Sequence, residues 1–312
     1  MAYRLWVRLT HALALIVFIS VAGFALLRLM PGDFVEILLL SQMDGTLPDA
    51  SQVARFAEAN GLNDPLPVQY FRWLGALFQG DMGISLVTRA PVIDDIVLRI
   101  GKSMTLAVAG MGLALLIAIP AGILCALYPG GRIDRVCTTM TVIGMSIPNF
   151  WYALLLALLF SLVLGWLPSS GHGTLAHAVL PTLVIATSIA GVLARYIRSS
   201  LLEELTEPYI RTARAKGLGK IRTLLHHGVP NVVPGVLTLT GLQFARVFDG
   251  MIIVETLFAW PGIGRFLVES LLNRDYPAIQ GCFLVIATAY ILVNLAVDVA
   301  ISIYDPRARE IV

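Results

Sequence analysis

Apolar positions gather into six runs that are nearly free of charge, at residues 12–29, 103–128, 138–166, 178–194, 232–258 and 281–303. A helix needs about 20 apolar residues to cross a hydrocarbon core of about 30 Å, so the runs predict six membrane-spanning helices. The fourth is short but clean. The fifth is the polar outlier, carrying Arg246, Asp249 and Glu255, and Asp298 alone interrupts the sixth. Arg4 and Arg8 before the first run give it the look of a signal peptide. It leads into Met30-Pro31-Gly32-Asp33 with no small-x-small cleavage pattern, and is read as a retained anchor.

Loop charge sets the expected orientation. Lys and Arg number thirteen on one set of alternating loops, seven of them within residues 195–228, against two on the opposite short loops. Both termini are therefore expected in the cytoplasm. The long segment after the first run lies outside on this reading, and its Pro, Gly and Asp punctuation with an amphipathic stretch at 51–62 predicts a cap of short helices. The expected organisation is a first transmembrane helix at 1–30, an extracytoplasmic segment at 31–102 and a transmembrane core at 103–312.

Composition agrees with an all-α integral membrane protein: 57% of the 312 residues are hydrophobic and 13% are charged. A net charge of +2 is too small for a nucleic-acid binder, so no nucleic acid is expected as a partner. Cys125, Cys137 and Cys282 are an odd set without C-x-x-C spacing, and His172 and His177 have no carboxylate or thiol nearby in sequence, so no metal site is expected. Gly101-Lys102-Ser103 resembles the end of a phosphate-binding loop, but the glycine required five residues before Gly101 is Ile96. Ser146 lies in an apolar run as an intramembrane nucleophile would, yet every histidine falls at a run end or in a loop. No catalytic residue is expected, and no cofactor in this chain.

The segment 199–228 is shaped for a partner. Thr206-Glu207-Pro208 reads as a helix start, with a capping hydroxyl, an acid near the positive end of the helix dipole and a proline in the first turn. Gly217 reads as its stop. A helix this short is not stable alone, and Ala213, Ala215 and Gly217 make it thin enough for close approach by a groove on another protein. Ile221, Leu224 and Leu225 then form an i, i+3, i+4 stripe suited to lying against the membrane domain.

These residues, with Ala213-Arg214-Ala215-Lys216-Gly217-Leu218 at their centre, resemble the cytoplasmic signature of ABC-importer permeases of the peptide/nickel family. The resemblance extends to Pro31-Gly32-Asp33, Gly80-Asp81-Met82-Gly83-Ile84-Ser85 and Ser146-Ile147-Pro148-Asn149-Phe150-Trp151. It continues through residues 255–265, Arg274-Asp275-Tyr276-Pro277 and Asp305-Pro306-Arg307. It implies a bacterial inner-membrane subunit paired with a homologous permease, two ATP-binding subunits that hold ATP and Mg, and an extracytoplasmic binding protein. Uptake of peptides, nickel or a small metal chelate is implied. A secondary transporter or channel is the alternative, but no inverted repeat relates residues 1–150 to 151–312.

Three sets of residues carry the expected function. Glu207, Tyr209, Arg211, Ala213, Arg214, Ala215 and Gly217 would couple to the ATPase. Gln243, Arg246 and Gly250 share one face of the fifth helix at i, i+3, i+7 and, with Asp249, Asn294 and Asp298, would line the path; an Arg246–Asp249 structural pair is the competing reading. Trp260, Pro261, Gly262, Ile263 and Gly264 would turn back tightly and form an outer gate.

Overall fold

The structure is a computed structural model describing residues 2–29, 36, 39, 49–59 and 61–304. The side chains of Met145, Asp249, Asp298 and some residues near both ends lie outside that description, as do the motifs at 31–33 and 305–307. Among the described residues the chain is helical, with one isolated antiparallel bridge between Ile84 and Pro91.

The chain divides into two compact units, residues 1–103 with 261–292 and residues 104–260 with 293–312. The first unit holds α1 (Ala2–Leu29), α2 (Ala50–Ala59), α3 (Leu66–Phe78) and α11 (Ile263–Leu272). It also takes the opening turns of the long helix α4 (Val92–Leu127) and more than half of α12 (Tyr276–Tyr304). The amphipathic stretch at 51–62 is helical over α2. Val92, Ile96, Ile263, Phe266, Ala278 and Cys282 form this unit's core. Asp275, 1% exposed, fixes the entry to α12: its carboxylate accepts the Ala278 amide at 3.3 Å as a helix cap does. The same carboxylate accepts the Ser85 hydroxyl at 2.5 Å. The motifs at 80–85 and 274–277 therefore meet in one buried hydrogen-bonded joint.

The second unit is built around α7 (Leu175–Glu204), whose buried face includes Val184, Ala190, Leu193 and Leu201. Small residues let α4 approach it closely. A Cβ placed on Gly110 would lie 2.5 Å from Ile185, and one on Gly122 2.9 Å from the Ala194 carbonyl, while Ala114 and Ala118 between them are fully buried. This small-residue spacing of four lets two backbones pack where apolar lipid offers no hydrophobic drive for association. The unit also contains α5 (Arg132–Ser146), α6 (Asn149–Ala157) with a π turn at Leu158–Val163, and α8 (Pro208–Ala215). It is completed by α9 (Lys220–Thr223), a π turn at Leu224–Gly228, and α10 (Val229–Leu257).

By length and composition, α4, α7 and the stretch Tyr276–Val297 are long and apolar enough to cross a membrane. Two bent pairs raise the number to as many as five among the described residues, and α1 adds a shorter apolar stretch, Leu9–Ala25. The third expected span is not one straight helix. It is broken at Ile147-Pro148 and bent by 104°, because a residue before proline is pushed out of the helical region; Ile147 has φ −88° and ψ 126°. The fifth is bent by 51° between Phe248 and Gly250. It joins the preceding π turn without a break, so its start lies before residue 232.

Candidate functional site: a docking helix and a polar cavity

The short helix expected at 207–217 is α8. Glu207 stands at its N-cap and Pro208 at its first position, where the missing N–H costs no hydrogen bond. Thr206 does not cap it. Its hydroxyl instead donates to the Glu203 carbonyl at 2.7 Å, closing the end of α7. Gly217 ends the helix with φ +91°: its amide donates to Arg214 and that of Leu218 to Ala213, the paired bonds of a Schellman turn.

Burial sorts the side chains of α8. Ile210 and Ala213 face the second unit's interior, whereas Tyr209, Arg211, Arg214, Ala215, Lys216 and Gly217 are exposed. The exposed set is basic and small. The Tyr209 hydroxyl donates its one proton to Glu204 and accepts from Asn231 at 2.6 Å; Asn231 also donates to Glu204 at 3.1 Å. Partial burial, then the Glu204 carboxylate, push the Tyr209 phenol above its ordinary pKa, so it remains a neutral donor. Tyr209 thereby ties α8 to the end of α7 and the start of α10.

Two further contacts hold this end of the unit. Lys220 caps the free carbonyl of Leu127 at the negative end of α4 and lies over the Tyr128 ring. Asp134, 4% exposed, pairs with Arg198 through two bonds of 2.5 and 2.8 Å and accepts the Gly130 amide. The expected apolar stripe behaves differently from its spacing. Leu224 is buried beside Thr223, but Ile221 and Leu225 are exposed, and a π turn begins at Leu224.

The second feature is a cavity of about 340 Å³ between the α5–α6 break, α7 and α10. Gln243, Arg246 and Gly250 all line it, joined by Gly144, Asn149 and Ser188, and isoleucine and valine side chains make up the rest of the wall. A Cβ on Gly250 would stand 3.6 Å from the Asn149 amide, an ordinary van der Waals contact with α6. Arg246 is exposed and makes no ion pair among the described residues. Asp249 and Asp298 have side chains outside the described residues, and Asn294, half-buried on α12, does not line the cavity. Broken backbone within a membrane protein is tolerated where it is packed in protein or borders a polar cavity, and both bends lie at this one.

The segment at 260–264 departs from its expected geometry. The backbone reversal falls at Ala259, φ +49°, where the Trp260 amide returns to the Glu255 carbonyl at 2.8 Å. Gly262 is the N-cap of α11 with φ −94°, and Gly264 is helical, so neither uses the freedom to turn that the Pro-Gly-x-Gly pattern suggests. Ile263 is 3% exposed, and its amide donates to Ser103.

A helical unit with stretches long and apolar enough to cross a membrane, a cavity at two broken helices and a short, exposed basic helix has the form of a transport permease. Residues 118–310 match the family described as binding-protein-dependent transport system inner membrane component, and residues 1–107 match its N-terminal region. The chain is 39% identical over 300 residues to the oligopeptide transport system permease protein AppB of Bacillus subtilis, covering 93% of each. It is 38% identical over 302 residues to the glutathione transport system permease protein GsiC of Pectobacterium atrosepticum, covering 97% of each. Among solved structures, the MetNI methionine ABC transporter shares the fold at a TM-score of 0.54 with 20% identity, over 67% of this chain and 95% of that one. An amino acid ABC transporter matches at a TM-score of 0.54 with 15% identity, over 69% and 94%. The chain belongs to the ABC-importer permeases of the peptide/nickel family.

Sequence reasoning named Tyr209 but missed Asn231, Asp134 and Arg198, the partners that fix this end of the unit. Asp134 and Arg198 are 64 positions apart, and Tyr209 meets Asn231 across 22, distances over which no local pattern speaks. Asn149 was visible only as part of the Ser146–Trp151 motif.

Proposed function

We propose that the chain is one of two permease subunits of an ATP-driven importer of short peptides. It would work with a homologous permease, two ATP-binding subunits and an extracytoplasmic binding protein. Six spans with both termini cytoplasmic place α8 in the cytoplasm and the helices α2 and α3 on the outer face. The observation that carries this reading is α8 itself: a helix closed at its C-terminal end by a Schellman turn, whose basic, small-residue face is exposed while Tyr209, Ile210 and Ala213 fasten it to the membrane helices. ATPase closure would move α8, and α8 would move α7 and α10.

The cavity lined by Gln243, Arg246 and Gly250 is assigned to the translocation path. Arg246 would meet the substrate carboxylate, which guanidinium recognises through paired hydrogen bonds. The relatives are named for oligopeptides and glutathione, which favours peptide over nickel as cargo. The segment at 260–264 is assigned to an outer gate, where Ile263 would shift only together with α11. In proteoliposomes containing the whole complex, uptake of a labelled peptide should require ATP and the binding protein. ATP hydrolysis that never responds to loaded binding protein would overturn the reading.

A further inference from the structure

The first unit contains its own cavity, of about 340 Å³, which the path assignment does not use. Its wall is formed by the end of α1, the Gly61-Leu62 turn, α3, the loop at 81–83 and the first turns of α12. Aromatic rings line part of it, with Phe24 packed on Trp73 at 5.9 Å.

Two amides in this wall are incomplete. Gln69 is 6% exposed, and its Nε2 donates to the carbonyls of Leu62 at 2.7 Å and Asp64 at 2.8 Å. Those two acceptors fix which end of the amide is nitrogen, so its Oε1 is the atom left buried without a donor. Across the wall, Nε2 of Gln280 is buried without an acceptor. A buried orphan of either kind is costly, and native interiors hold few of them. Here an unmet acceptor and an unmet donor belong to the same cavity wall. Arg72 and Asp81 stand there as well; Arg72 leans on Asp64 at 2.7 Å, and Asp81 accepts the Gly83 amide at 2.8 Å.

We propose that this cavity is a binding site for a short zwitterionic peptide, a staging site distinct from the path cavity of the second unit. Each peptide unit offers one N–H and one C=O, the partners that Gln69 and Gln280 lack. A free ammonium suits Asp81 and a free carboxylate suits Arg72. The aromatic wall takes side chains with little sequence preference. The inference rests on the peptide-import reading, which supplies the substrate class and puts this unit's short helices outside.

The test uses the assembled transporter in nanodiscs without its binding protein and a diazirine-bearing dipeptide, photo-leucyl-alanine, as probe. Irradiation followed by mass spectrometry should place label within residues 61–83 and 276–280, competed by unlabelled dipeptide. Gln280→Met should reduce that labelling about tenfold, the effect of about 1.4 kcal/mol. Asp81→Asn, at an exposed position that keeps an acceptor for Gly83, should weaken labelling by the dipeptide but not by its N-acetyl form. Label confined to the cavity lined by Gln243 and Arg246, with peptide uptake intact, would overturn the staging site and leave the import reading standing. Label here that is indifferent to both substitutions would also overturn it. No label anywhere and no uptake with the binding protein restored would overturn both readings.

Discussion

Gly217 separates a helix stop from a docking surface. Its φ of +91° is a conformation that side-chain-bearing residues avoid, at a cost of about 1–2 kcal/mol. No heavy atom outside its immediate neighbours lies within 4 Å of a Cβ built there, so within this chain any residue larger than glycine meets only the backbone penalty. Gly217→Ala and Gly217→Leu should therefore weaken the Schellman turn about equally, by about tenfold in its closing equilibrium. A difference between them has to come from another protein. If α8 enters a cleft, leucine adds bulk at the contact and should abolish substrate-stimulated ATP hydrolysis or assembly, whereas alanine should reduce it only several-fold. The assay is co-purification of the four-subunit complex and its ATPase rate with loaded binding protein. Equal effects of alanine and leucine would refute close approach at this position, and wild-type behaviour of both would remove α8 as the coupling element.

Arg246→Met should leave assembled complex at normal yield and abolish peptide uptake in proteoliposomes; loss of assembly instead would make Arg246 a structural residue. Asp134→Asn keeps an acceptor for Gly130 but strands Arg198, and because that arginine is 31% exposed the loss should be moderate, about 1–3 kcal/mol, read as a lower midpoint of thermal unfolding in detergent. Asp275→Ala removes the bond from Ser85 and the cap on α12 together and should lower stability by about 1–3 kcal/mol, read in the same way. Tyr209 has a folded pKa above its ordinary value, so its contribution is complete below that value and fades as pH rises through the folded one. ATPase coupling should be flat from neutral pH to about pH 9 as far as Tyr209 is concerned, and Tyr209→Phe should weaken it across that whole range.

Much of this architecture is written in local pattern. Apolar runs and their flanking charges locate the long helices, and the order Glu207-Pro208 to Gly217 marks both ends of α8, because caps and stops depend on a few adjacent residues. Breaks within helices are harder to read: Ile147-Pro148 carries its signal in the proline, but the bend near Gly250 has none. The Pro261-Gly262-Ile263-Gly264 pattern misleads, since the turn is made before it by Ala259, an alanine held in a glycine-like conformation by the return bond from Trp260. The joints between elements were not legible at all. Asp134 with Arg198, and Ser85 with Asp275, are long-range pairs; the latter two stand in separate motifs of the sequence, but nothing local tells that they meet.

On the proposed function, ATPase subunits drive peptide through this chain by acting on α8. The most direct measurement is peptide accumulation in proteoliposomes carrying the complete complex, with binding protein on one side, ATP on the other, and proton and sodium gradients collapsed by ionophores. Accumulation that persists without gradients, requires ATP and is lost in Gly217→Leu is the predicted result. Accumulation that follows an ion gradient and proceeds without ATP would contradict the account and make the chain a secondary transporter.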